Sequence, residues 1–172
     1  MEKIVITYAW AIWCWKTTIT NFISTKIWLP TFNNDAIRSE VATDFSRLDE
    51  TEAQKRIKER LDDIVQKGIS FIYDASVDRK RKSLLKEILI KNNYKYFIIS
   101  IDLNKETLLK SYRSTSNFEA LKKIDKVYED HQNFLKECSS DINLHINEDN
   151  YKERLDIVYK AVSQRMKEIE NC

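Results

Sequence analysis

The chain has 172 residues, a formal net charge of +2, and 42% apolar against 33% charged residues; this balance fits a globular chain with a full core and excludes an intrinsically disordered one. No apolar run nears the roughly 18–20 residues that span a bilayer, and so small a net charge is not the electrostatic footprint of a nucleic-acid binder. The length predicts one domain over residues 1–172, and three well-separated cysteines (Cys14, Cys138, Cys172) with neither zinc spacing nor a disulfide framework, together with an N-terminus that runs directly into a strand, predict a cytoplasmic protein without a leader.

The first predicted strand is the β-rich run Lys3–Tyr8, and residues 16–23 read as the opening turns of a helix. Between them lies "YAWAIWCW", with three tryptophans in six residues. A fourth, Trp28, follows the helix where a C′ glycine is natural. Next comes "TFNNDAIRSEV", in which a short extended segment ends in Asp35 and Arg38 lies one helical turn on. Thr51–Lys67 sets Ile57, Leu61 and Ile64 on one helical face, and Gly68 follows as a C-cap. Further strand-like runs are Ser70–Tyr73, Tyr96–Ile101 and Ile142–Ile146. Amphipathic helices are predicted over 79–91, 104–113, 118–137 and 150–170, with Asn104 and Asn150 at N-cap positions and a mobile loop at Ser114–Asn117. The strand runs are continuously apolar, as in strands buried on both faces, so the alternation predicts an α/β fold with a mostly parallel sheet and right-handed crossovers.

One count stands out. Gly68 is the only glycine in the sequence, where average usage near 7% would give about 12. The missing glycines bear on the first loop. A strand followed by G-x-x-x-x-G-K-[ST] and a helix is the phosphate-binding P-loop, in which main-chain N–H groups wrap the phosphates, lysine reaches the outer ones and the hydroxyl binds magnesium. Here Trp10 and Trp15 hold the two glycine positions before Lys16-Thr17-Thr18, and Trp13 holds the extra glycine of the G-x-x-G-x-G-K-T form. A tryptophan cluster is ordinarily a core patch, but residues 10, 13 and 15 share no apolar face. The register predicts a P-loop with tryptophan over glycine, and the indoles would occupy volume that phosphates need.

The other candidates have plainer readings beside them. Asp35 with Arg38 is either a proton acceptor with an anion-binding arginine or a helix cap with a surface arginine. Asp74, after "SFIY", is either a magnesium-orienting carboxylate or a strand-end cap. "DRKRKSLLK" (78–86) is a solvated helix face or a surface for an anionic substrate. His131 and His145 have no metal-ligand spacing and carry no catalytic assignment.

Taken in order, the P-loop remnant, "LPTFNNDAIRSEV", "GISFIYDASVDRKRKSLLKEI", "FIISIDLNKETLLKSYR" and "DKVYEDHQNFL" resemble the P-loop kinase family, in particular the group of polynucleotide 5′-hydroxyl kinases, zeta-toxin-like kinases and gluconate-kinase-like enzymes. The resemblance covers nearly the whole chain. It implies a three-layer fold with a five-stranded sheet and a small helical lid near 111–125. It also implies ATP and Mg2+ as cofactors and transfer of the γ-phosphoryl group to a hydroxyl of a small molecule, a nucleotide or a nucleic-acid 5′ end. Residue by residue, Trp13, Cys14, Trp15, Lys16, Thr17 and Thr18 correspond to the nucleotide phosphate loop, with Thr17 and Asp74 toward magnesium. Asp35 corresponds to the general base, Arg38 to the acceptor-phosphate ligand, Arg113 to a lid arginine, and Asn147 to the loop against adenine. Ser111 stands where the family often has a second lid arginine. The alternative from another class is a P-loop-fold binding protein whose phosphate loop is blocked by Trp10, Trp13 and Trp15. A GTPase-like switch lacks its N-K-x-D motif.

Overall fold

The computed structural model describes residues 2–9, 16–76, 87, 89–114 and 118–170. Five strands among these residues form one sheet in the order β2-β3-β1-β4-β5: β1 (Lys3–Ala9), β2 (Thr31–Phe32), β3 (Phe71–Ser76), β4 (Tyr94–Asp102) and β5 (Leu144–Asn147). Every pairing is parallel, so the expected mostly parallel sheet is wholly parallel. The described α-helices are α1 (Lys16–Ile27), α2 (Asn34–Asp44), α3 (Glu50–Gln66), α4 (Lys105–Ser114), α5 (Phe118–Cys138) and α6 (Arg154–Glu170).

The strands are apolar on both faces because both are covered. Ile4, Ile6 and Tyr8 of β1, Ile72 of β3 and Ile99 and Ile101 of β4 pack against Ile19 and Ile23 of α1 and Val158 and Val162 of α6. On the opposite face Val5, Phe71, Tyr73 and Ala75 pack against Ile37 of α2 and Ile57, Leu61 and Val65 of α3. Successive strand side chains point to opposite faces, so β3 sends Phe71, Tyr73 and Ala75 to the α2–α3 layer, and Ile72 and Asp74 toward α1. The β1–β3 register shifts between Ile6 and Tyr8, where Ile72 and Ser76 are the neighbouring partners on β3. The buried Thr7 hydroxyl donates to the Ala75 carbonyl, 3.2 Å, within this irregular stretch. Such irregularities commonly re-aim side chains beside sites.

Helix ends explain the scarcity of glycine only in part. Gly68 (φ 66) and Asn93 (φ 60) take left-handed conformations after helical segments, Ser46 (φ 55) does so after α2, and Trp28 (φ 58) after α1. The Gly68 turn is closed by Gly68 N–H to Val65 O and Ile69 N–H to Ile64 O, the paired bonds of a Schellman end.

Three local expectations are corrected. Asp35 does not end an extended segment: β2 stops at Phe32, and Asp35 lies in the first turn of α2 with Asn33 as its cap. Asp74 is not the end of its strand, which runs on to Ser76. Asn150 gives the last helix no side-chain cap; its Oδ1 accepts from the Asn147 N–H, and a short 3-10 turn, Tyr151–Glu153, precedes α6. Asn104 does cap α4, accepting from the Thr107 N–H at 2.9 Å. The loop over 10–15, the basic run 78–86 and residues 115–117 lie outside the described residues.

Candidate active site

β1 ends at Ala9, and Lys16 begins α1 with its N-terminal turn beside Asp74 of β3. From β1 the chain goes out to the edge strand β2, returns through β3, and then passes across β1 to β4. Ligands of open α/β sheets sit at such a reversal, outside the carboxyl ends of the strands.

Asp74 is the hub of this edge. Its Oδ2 accepts from Asn33 Nδ2 at 2.9 Å and from the Thr17 hydroxyl at 3.3 Å. Its Oδ1 accepts from the Thr20 hydroxyl at 3.4 Å. The Thr20 hydroxyl hydrogen is engaged by Asp74, so the Tyr8 hydroxyl, 2.8 Å away, donates to Thr20 Oγ1. Burial of Tyr8 pushes its phenol well above the ordinary range, the Thr20 hydrogen bond pulls it back in part, and the Asp74 charge raises it further. Tyr8 is therefore a fixed neutral donor. The chain Tyr8–Thr20–Asp74–Asn33 joins β1, α1, β3 and the start of α2 through side chains alone. Thr17 joins it from the first turn of α1, with Lys16 half-buried and Thr18 exposed beside it.

Asn33 links the two halves of the site. Its amide nitrogen holds Asp74, while its Oδ1 accepts from the Asp35 and Ala36 N–H groups at 2.8 and 3.0 Å. One side chain thus caps α2 and ties Asp35's helix turn to the Asp74 strand. Asp35 itself is 92% exposed and pairs with Arg38 Nη1 at 3.2 Å; Arg38 Nε also reaches Glu50 of α3 at 3.3 Å. Arg56 locks α2 to α3, bonding Glu40 at 3.0 Å and Asp44 at 2.6 Å on α2, and Glu52 at 2.9 Å on its own helix.

Asn147 lies on the same edge, opposite Asp102 in the β4–β5 register. Its Oδ1 is engaged by the Asp149 and Asn150 N–H groups, so it shapes its own turn. The neighbouring Glu148 carboxylate accepts from the Asn104 N–H, tying this turn to the start of α4. Arg113 belongs to α4, but its side chain lies outside the described residues, as do Trp10, Trp13, Cys14 and Trp15. Thr17, Asp74 and Asn33 are brought together, with Asp35 joined to them through its N–H on Asn33; Asn147 stands apart on β5, with β1 and β4 between it and β3.

Sequence reading missed three members: Asn33, Thr20 and Tyr8. Asn33 had a signal, since an Asn before a helix start is a strong cap. Thr20 lies three residues after Thr17 and so shares its helix face. Tyr8 had none, because an apolar strand hides a hydroxyl directed at a helix.

For metal chemistry, Thr17 and Asp74 supply hard oxygen donors, the kind Mg2+ prefers. Among the described residues no three His, Cys, Asp or Glu side chains group as a metal cage. A bound Mg2+ would accordingly complete its shell with phosphate and water oxygens.

No family model matches the chain, and no curated protein sequence matches it. Solved structures do. A gluconokinase from Sinorhizobium meliloti 1021 superposes with a TM-score of 0.63 at 9% identity, covering 98% of this chain and 95% of that one. A shikimate kinase from Aquifex aeolicus vf5 gives 0.58 at 15%, covering 94% and 98%. The APS kinase of Mycobacterium tuberculosis, solved with AMPPNP and APS, gives 0.57 at 12%, again covering 94% and 98%. At these identities the likeness is one of fold: the chain has the three-layer, parallel-sheet α/β fold that these kinases share.

Proposed function

We propose that the protein is an ATP-dependent phosphotransferase that uses Mg2+ and transfers the γ-phosphoryl group to a hydroxyl of a small molecule, a nucleotide or a nucleic-acid 5′ end. The observation that carries this reading is the junction of Thr17, Asp74 and Asn33 at the carboxyl edge of β1 and β3, directly beside Lys16. Bound Mg2+ supplies positive charge to the phosphate oxygens. Lys16 and the N-terminus of α1 hold the outer phosphates, and Thr17 and Asp74 orient the metal and its waters. Asp35 accepts the acceptor's proton; it is solvent-open and lies in the first turn of α2, held by the Asn33 cap. Arg38 favours an acceptor that already carries phosphate, which would exchange for the Asp35 and Glu50 carboxylates now around it. Arg113 would neutralise charge on the transferring group from α4.

A second reading has its own observation, the three tryptophans in the loop register. With indoles in place the chain would be a binding protein of the same fold without turnover. Stabilisation by MgATP separates the two. At 100 times Kd a competent site gains about 2.7 kcal/mol. The Trp10→Gly/Trp13→Gly/Trp15→Gly triple variant is expected to show that gain and to transfer labelled γ-phosphate to an acceptor in a hydroxyl screen, while the tryptophan-bearing chain shows neither. A triple variant that folds and gains nothing would contradict the kinase reading.

A further inference from the structure

We propose that the codons for residues 10, 13, 15 and 28 are read as glycine in the cell this protein comes from, so that the native chain contains no tryptophan. The proposal rests on the phosphate-loop reading for positions 10, 13 and 15, and on backbone geometry for position 28.

Trp28 follows α1 with φ 58, a conformation that strains an L side chain and leaves glycine unstrained. Its indole is 88% exposed, so burial does not offset the strain. The equivalent place after other helical segments is held by Gly68 (φ 66), Asn93 (φ 60) and Ser46 (φ 55), all small beside tryptophan; glycine and asparagine enter this region readily. Tryptophan at 28 has neither a packing role nor a backbone one.

Positions 10, 13 and 15 are those at which a strand–loop–helix leading into Lys16-Thr17 takes glycine. The sequence has four tryptophans, and all four fall on glycine positions. Tryptophans kept for packing are large, mostly buried side chains; Trp28 is exposed, and in the sequence positions 10, 13 and 15 share no apolar periodicity. Four independent Gly-to-Trp substitutions would each have to land on such a position and nowhere else. A single cause does the same: one codon, UGA, differs from the glycine codon GGA by one base and is read as stop, tryptophan or glycine in different cells. Read as glycine, it restores the residue type that a phosphate loop before Lys16-Thr17 calls for, and it leaves the end of α1 without strain.

The gene and the native peptides decide the matter. UGA is expected at all four codons. In protein taken from its own cell, the tryptic peptides Ile4–Lys16 and Ile27–Arg38 are expected to be lighter by three and by one tryptophan-to-glycine mass difference. UGG at any of the four codons, or a tryptophan mass in either peptide, overturns the proposal. The result is separable from the kinase reading: glycine in both peptides with no MgATP binding would uphold the codon assignment and remove the catalytic one.

Discussion

Asp74 illustrates how little of a site one residue determines. Its position was readable from the sequence, since a carboxylate near the end of a buried strand after "SFIY" is conspicuous. Its partners were not, because Asn33, Thr17 and Thr20 reach it across 41, 57 and 54 residues of sequence. Only the folded sheet sets those approaches. Asn33 is therefore the sharpest residue-scale test. Asn33→Ala removes a helix cap, worth about 1 kcal/mol, and also leaves Asp74 without its shortest hydrogen bond. The denaturation midpoint should fall accordingly, and turnover should fall further than stability explains. An unchanged midpoint would mean that the bridge does not hold α2. Asp35→Asn, made in the Trp10→Gly/Trp13→Gly/Trp15→Gly background, is expected to lower turnover by about 100-fold or more while leaving ATP affinity intact. Equal turnover would remove Asp35 as proton acceptor.

Among elements, helices and strands were legible in kind and order, and their boundaries moved where tertiary pairing intervened. Ile142–Ile146 read as a strand, yet β5 begins at Leu144. Ile142 is drawn into a turn by Ser139 O, and Asn143 bonds Ile98 with its N–H and its side-chain Oδ1, at 2.9 and 2.7 Å. β4 begins at Tyr94, before the apolar run, because it pairs with Lys3 of β1. The end of α1 carries the element-scale prediction. Ser24 Oγ donates to Leu29 O at 2.6 Å around the Trp28 turn, so the turn's geometry does not depend on the indole. Trp28→Gly should raise stability by about 1 kcal/mol, the relief of left-handed strain less glycine's added freedom in the unfolded chain. Urea titration would read this directly, and a loss of stability would show that the indole contributes packing.

At the scale of the molecule, both faces of the sheet are covered, and the periodicity that announced continuous buried strands was sufficient to give the layers. It could not give the strand order, which depends on where each crossover lands. His131, a buried residue of α5 that approaches Asp102 at the end of β4, supplies a test of the packed whole. Its imidazole is pushed down to about 4 by desolvation, with Asp102 opposing that shift from 3.9 Å. The unfolded chain thus binds this proton more readily than the folded one. The corresponding stability is present above pH about 6.5 and is lost as pH falls toward about 4, by about 3 kcal/mol. His131→Gln should flatten the stability profile over that interval by this amount, whereas an identical slope would place a protonated imidazole in the folded state.

The claim on which the functional reading depends is that the edge beside Lys16, Thr17 and Asp74 receives the phosphates of a nucleotide. Calorimetric titration of MgATP into the Trp10→Gly/Trp13→Gly/Trp15→Gly variant tests it most directly. Saturable, magnesium-dependent binding that is lost on adding Lys16→Ala and weakened on adding Asp74→Asn is the expected result. A folded triple variant that takes up no MgATP, or that binds it equally well without Lys16, would contradict the claim.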